Sequence, residues 1–212
     1  MKEVLITRDS VGEKLVVIPQ VVFLGKRSIS WKEVEQYLLR YVGKIVEVSE
    51  TKDFIYIDKM FVDEYTGSEY TNKLVGTLPK VKANMSQGIP QMIEIATGKR
   101  WKEDFGKKHK KKAGKGWFRY NTRFAMPVTN DNGEIVEYKV YQAVLIVRYS
   151  ADEKLYLYDI QNIKKETRYP SWTESSDGQK PASFTKSIVC GEQEHKKIFR
   201  SNSFSIHKIP PA

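Results

Sequence analysis

The side chains able to act on a polyanion crowd into one stretch of this chain, Lys99–Arg123. Two of the three histidines, His195 and His207, sit in a polar C-terminal region beside nothing that would orient them. His109 stands instead among Lys107, Lys108, Lys110, Lys111 and Lys112. Neighbouring ammonium groups disfavour the imidazolium, which would keep His109 neutral and available as a proton acceptor. The plainer alternative is one more polar residue on a charged face. Arg119 and Arg123 follow, with Tyr120 between them, at the start of a β-patterned run. A two-residue period puts positions 119, 121 and 123 on one face. Two guanidiniums there suit a phosphate, because each presents a planar fork of donors. They equally suit salt bridges to Asp or Glu on a neighbouring strand. Further on, Lys164-Lys165-Glu166-Thr167 brings cation and hydroxyl together at a strand end, with Lys165 expected within reach of the surface that carries Arg123.

Charge sharpens this picture. The chain has 212 residues and a net charge of +10. From Gly98 to Arg119 it carries ten Lys or Arg against only Glu103 and Asp104, so most of the excess lies in one window. Such a local field attracts RNA, DNA or an acidic membrane surface. Trp101, Phe105, Trp117, Phe118 and Tyr120 are interleaved with the cations and can stack on bases or on arginine. The expected nucleic-acid contacts are Lys99, Arg100, Lys107, Lys108, Lys110, Lys111, Lys112, Lys115 and Trp117. A solvated lysine-rich face is the competing reading.

The motifs that are missing narrow the chemistry. There is no phosphate-binding Gly-x-x-x-x-Gly-Lys loop and no Gly-x-Gly-x-x-Gly fingerprint. No His-Glu-x-x-His or paired Cys/His spacing points to a metal, and Cys190 is the single cysteine. Asp63-Glu64 reads as a solvated loop pair. No cofactor or metal is therefore expected, leaving metal-independent acid–base chemistry on a phosphodiester, or no chemistry. No apolar run reaches membrane-spanning length, and Met1–Ile6 lacks a secretory pattern. The expected compartment is the cytoplasm, without a membrane partner.

The elements that must position these residues read as α+β: helices followed by a twisted antiparallel meander, with a small N-terminal α+β lobe. Lys14–Leu24 is strand-like with a break at Pro19. Ser30-x-x-Glu33 is a capping box opening an amphipathic helix that Gly43 ends. Ile45–Val48 and Phe54–Ile57 read as short strands, and Asp63–Ser68 as a loop. From Leu78 a helical stripe runs to Ala96, with Pro90 and Gly88 implying a kink or two successive helices. Trp101–Ala113 is compatible with a further helix. Asn130-Asp131-Asn132-Gly133 predicts a hairpin between Trp117–Val128 and Ile135–Tyr149, and Ser150–Glu153 turns the chain into Lys154–Ile163. The expected division is a lobe over 1–75, a basic α+β domain over 76–168, and a tail over 169–212.

Several of these segments together resemble a known family. Lys82-Ala83-Asn84, Gln87-Gly88-Ile89-Pro90, Glu94-Ile95-Ala96, Lys108-His109, Gly116-Trp117, Arg119-Tyr120, Arg123-Phe124, Pro127-Val128 and the run Lys154–Thr167 are similar to a domain of clostridial phage and conjugative elements. That domain looks like the phage-borne branch of the barnase/EndoU/colicin/RelE-like (BECR) ribonuclease superfamily. The resemblance covers roughly Ile18–Thr167. It implies helices followed by a twisted antiparallel sheet bearing the active site, with His109 as general base. Arg119 and Arg123 would clamp phosphate, and Lys165 and Thr167 would be the strand-end cation and hydroxyl. The implied reaction is attack of an RNA 2′-hydroxyl on the adjacent phosphorus, giving a 2′,3′-cyclic phosphate without a metal. Relatives often have Arg-His where this chain has Arg148-Tyr149, so a second histidine is missing and Tyr149 or Tyr120 would have to act as acid. Tyrosine, with a pKa near about 10, is a slow acid unless tuned. The first expectation is thus a toxin-like RNA endonuclease of a mobile element, with RNA, tRNA included, as partner. The second is a non-catalytic nucleic-acid-binding or anti-defence accessory. The third is an inhibitor whose basic face meets an acidic host protein, and a host or antitoxin protein is the alternative partner.

Overall fold

A computed structural model of the chain describes residues 3–25, 28–102 and 116–166. Its element order begins with β1 (Leu5–Arg8), β2 (Lys14–Val17), α1 (Trp31–Leu38), β3 (Ile45–Glu47) and β4 (Phe54–Tyr56). Helices α2 (Lys59–Gly67), α3 (Glu69–Asn72), α4 (Leu78–Met85) and α5 (Ile89–Glu94) follow, then strands β5 (Thr97–Lys102), β6 (Gly116–Thr129), β7 (Ile135–Tyr149) and β8 (Leu155–Lys165). The α+β class is as the sequence implies.

The three long strands form the expected meander. The backbone of the Asn130–Gly133 turn closes on itself, and β7 pairs antiparallel with both β6 and β8. The meander is only the middle of the sheet, however. The strand order is β1-β2-β6-β7-β8-β4-β3, with β5 also on β6. Because β2 joins β6 and β4 joins β8 in parallel, the sheet is a curled, mixed one of eight strands and not a simple antiparallel meander. The expected N-terminal lobe likewise forms no sheet of its own, since its two hairpins are the two flanks of this one.

One large core joins all parts of the described chain. Tyr120, Phe124, Leu145 and Leu157 of the meander pack with Val34, Leu38, Phe61, Tyr65, Met85 and Ile89 of the helices. Ser30 caps α1 by accepting from the Glu33 amide, as the capping box predicts. The helical stripe from Leu78 breaks at a single 3₁₀ turn, Ser86–Gly88, before α5. Three local readings change. β2 ends at Val17 instead of running to Leu24, and the side-chain oxygen of Asn84 accepts from the Val22 and Phe23 amides there. Residues 63–67 belong to α2 instead of a loop, because Asp58 caps the helix and Phe61, Val62 and Tyr65 bury one face of it. Trp101 and Lys102 lie in β5 instead of a helix, laddered against Phe118 and Trp117. The remainder of that expected helix, and the 169–212 tail, lie outside the described residues.

Candidate nucleic-acid interface

β6 has two unlike faces. Tyr120, Thr122 and Phe124 point into the helix layer, while Arg119, Asn121 and Arg123 alternate with them on the outer face. Strand pairing carries that outer face sideways in rows. Arg100, Arg119 and Ile146 form one row, Thr97, Asn121 and Val144 the next, and Arg123, Gln142 and Lys164 a third.

The first row is unusual. Arg100 on β5 is the direct partner of Arg119 on β6, so two guanidinium side chains share one face of one ladder position. Like charges directly opposed across a ladder are destabilising. Among the described residues, neither arginine meets a carboxylate. Arg100 donates from Nη2 to the Asn121 side-chain oxygen at 2.9 Å, and the buried Nε of Arg119 has no hydrogen-bond partner. The register that creates this pair depends on a bulge between Thr97 and Arg100. Gly98 sits in it at φ +63, a conformation glycine adopts without strain, and its amide donates to Glu50. β5 itself is exposed along its whole length, and adds Lys102 to the same outer face.

The other expected site residues have different surroundings. The Arg123 guanidinium, expected to clamp phosphate, is already occupied by carboxylates. It forms a two-pronged contact with Glu166 at 2.7 and 2.8 Å, and ion pairs with Asp9 at 2.8 Å and Glu13 at 2.9 Å. The hydrogen bond to Glu166, opposed by burial and reinforced by Asp9, raises its pKa further above the ordinary arginine value. The salt-bridge reading of this arginine is the one realised.

Tyr120 is fully buried and donates its hydroxyl proton to Asp53 at 2.8 Å. Burial, then that bond, pushes its pKa well above the ordinary tyrosine value, which unfits it as a general acid. Asp53 also accepts from Lys99 at 2.8 Å. Burial alone would raise the Asp53 pKa, but hydrogen bonds from Lys99, Thr51 and Tyr120 outweigh it and hold the carboxyl below the usual range. Lys99, expected to touch nucleic acid, is therefore engaged with Asp53 and lies 4.4 Å from the Phe118 ring centre.

Trp117 is buried edge-on against Tyr158, which removes it as a stacking platform. Trp101 is the exposed indole instead, resting on Phe118 and over Gly116, where any Cβ would collide with its ring. Lys165 pairs with Tyr141, whose own partner Phe124 faces the core. It thus belongs to the opposite face from Arg123, and Lys164 takes the row position expected of it. Lys107, Lys108, His109, Lys110, Lys111, Lys112, Lys115 and Thr167 lie outside the described residues.

A second polar constellation escaped the sequence reading. Lys82 and Asp159 are both fully buried and paired at 2.8 Å. Lys82 also donates to Thr71 at 2.7 Å, and Asp159 accepts from Ser68, Gln161 and the Ile160 amide. Burial lowers the Lys82 pKa, and Asp159 works against that shift. Every charged atom has a partner, so the cluster is a satisfied core network and offers no open face to a ligand. No helix among the described residues is long and apolar enough to cross a membrane, and no group of three His, Cys, Asp or Glu among them could hold a metal ion. Compared with protein-family models, with curated proteins and with solved structures, the chain matches none of them.

Proposed function

We propose that this protein binds RNA on the outer face of its sheet, with backbone phosphate seated on Arg100 and Arg119. The observation that carries the reading is the opposed guanidinium pair, which an anion would relieve and which no described carboxylate neutralises. The exposed strand bearing Arg100 also leads in sequence straight into the lysine-rich stretch 107–115, which supplies the sequence-independent part of phosphate binding. In the mobile-element setting that the family resemblance implies, such a protein would be an accessory or anti-defence factor acting on RNA.

Cleavage is the second reading. It is supported because, among the described residues, Arg119 meets no carboxylate, whereas Arg123 holds three. His109 would take the proton of the 2′-hydroxyl, that oxygen would attack phosphorus, and the leaving 5′-oxygen would need a proton from solvent or another group. One assay separates the readings. Labelled tRNA and total RNA are incubated with the protein in EDTA, beside His109→Ala. Binding with intact RNA is the expected outcome. Discrete fragments ending in 2′,3′-cyclic phosphate, absent with His109→Ala, would establish the nuclease. RNA neither bound nor cut would overturn both and turn attention to an acidic protein partner.

A further inference from the structure

Beside the arginine pair the outer face opens into a trough of about 760 Å³. It forms where β6 changes partner along one edge, from β5 up to Asn121 to β2 from Phe124. That size suits an organic group, since ligand clefts commonly run from about 300 to 1,000 Å³. Its chemistry differs from that of the arginine pair. Its lining includes the side-chain amides of Asn121, Gln142 and Asn162 and the apolar residues Ile95, Ala96 and Val144. Glu13 and Glu50 also line it, as do the cations Arg8, Lys14 and Lys164, and a second guanidinium, Arg123, is held by carboxylates. Those carboxylates occupy the Arg123 guanidinium, so it is not a second phosphate clamp. Amides beside apolar residues suit the edge of a nucleobase, because each amide sets donors beside an acceptor.

We propose that this trough receives one unpaired base of a single-stranded RNA whose phosphate lies on Arg100 and Arg119. Asn121 joins the two sites, accepting from Arg100 while lining the trough. One same-face step along β6, about 7 Å, separates Arg119 from Asn121, so phosphate and base of one nucleotide fall on adjacent positions. A base engaged in a duplex could not present its pairing edge here, which selects single strands. The inference rests on the RNA-binding reading and assigns that surface a specificity.

The test uses fluorescently labelled octamers of A, of C and of U, titrated with the full chain in anisotropy measurements. The wild-type protein should prefer one base by about tenfold, the discrimination one well-placed amide contact provides. Gln142→Ala and Asn162→Gly should bring that ratio close to one while leaving the salt dependence of binding intact. Both positions are exposed, and glycine suits the positive φ of 53° at Asn162, so neither change should disturb folding. Equal binding of all three octamers, or a preference that survives both substitutions, would overturn the trough assignment while leaving RNA binding in place. No binding of any octamer or of tRNA would overturn the RNA-binding reading itself.

Discussion

Arg119 and Arg123 stand two residues apart on one face, and their neighbours give them opposite energetic signs. Arg123 ties three carboxylates from β8's end and the β1–β2 hairpin together. Arg123→Gln should therefore cost about 1–3 kcal/mol in urea unfolding, because Glu166 and Asp9 lose their charged partner, while RNA affinity changes less than about twofold. Arg119→Thr should do the reverse. Removing one of two opposed cations should leave stability unchanged or raise it by about 0.2–1 kcal/mol, and should weaken RNA binding. A stability loss in Arg119→Thr with unchanged binding would mean the pair is structural. Asp53 supplies a pH signature at this same scale. Its folded carboxyl holds its proton less tightly than the unfolded one, so its contribution is present above the ordinary carboxylate range and fades as pH falls through the lowered folded value. Stability measured from neutral pH down to about 3 should fall less steeply in Asp53→Asn than in wild type.

At the scale of elements, irregularities in regular strands place the functional groups. The bulge at Gly98 turns Arg100 onto the face of Arg119, and a second irregularity in β8 sets Tyr158 against Trp117 while Asp159 meets Lys82 in the helix layer. Lys82→Met should cost about 3–5 kcal/mol by leaving Asp159 buried and unpaired, whereas Lys82→Met with Asp159→Leu should recover most of that loss. Equal losses in chemical unfolding of the single and double variants would contradict this account. These devices mark the limit of what the sequence discloses. The Ser30 cap, the break at Gly88 and the Asn130–Gly133 turn act over a few residues, so local spacing reveals them. The outer-face alternation of 119, 121 and 123 was equally readable from a period of two. Bulge positions are not, and they decide that Lys164 shares a row with Arg123 and Lys165 does not. Helix α2 was hidden because its Asp63-Glu64 and Gly67-Ser68 look like loop residues until Phe61, Val62 and Tyr65 find a core to bury against.

Across the whole molecule, the decisive fact is that chain-distant hairpins flank one sheet. β1–β2 completes one side of the meander and β3–β4 the other, through parallel pairings that no local pattern announces. The shared core predicts that the described parts unfold together: circular dichroism and tryptophan fluorescence should report one coincident transition. Two separated transitions would show that the N-terminal elements are an independent unit after all. The same assembly is what builds the outer face, since the β1–β2 hairpin supplies Arg123 with two of its carboxylates and the trough with Glu13. Three arginines close in sequence are thereby sorted, among the described residues, into a neutralised one, Arg123, and a pair that meets no carboxylate, Arg100 and Arg119. That sorting is the central claim, and the salt dependence of RNA binding tests it most directly. Affinity for a labelled single-stranded RNA should be measured across a salt series for wild type, Arg100→Thr with Arg119→Thr, and Arg123→Gln. The double variant should bind at least about tenfold more weakly with a slope shallower by about one, and Arg123→Gln should match wild type. If Arg123→Gln loses affinity and slope while the double variant keeps both, the phosphate sits on Arg123 and the account is wrong.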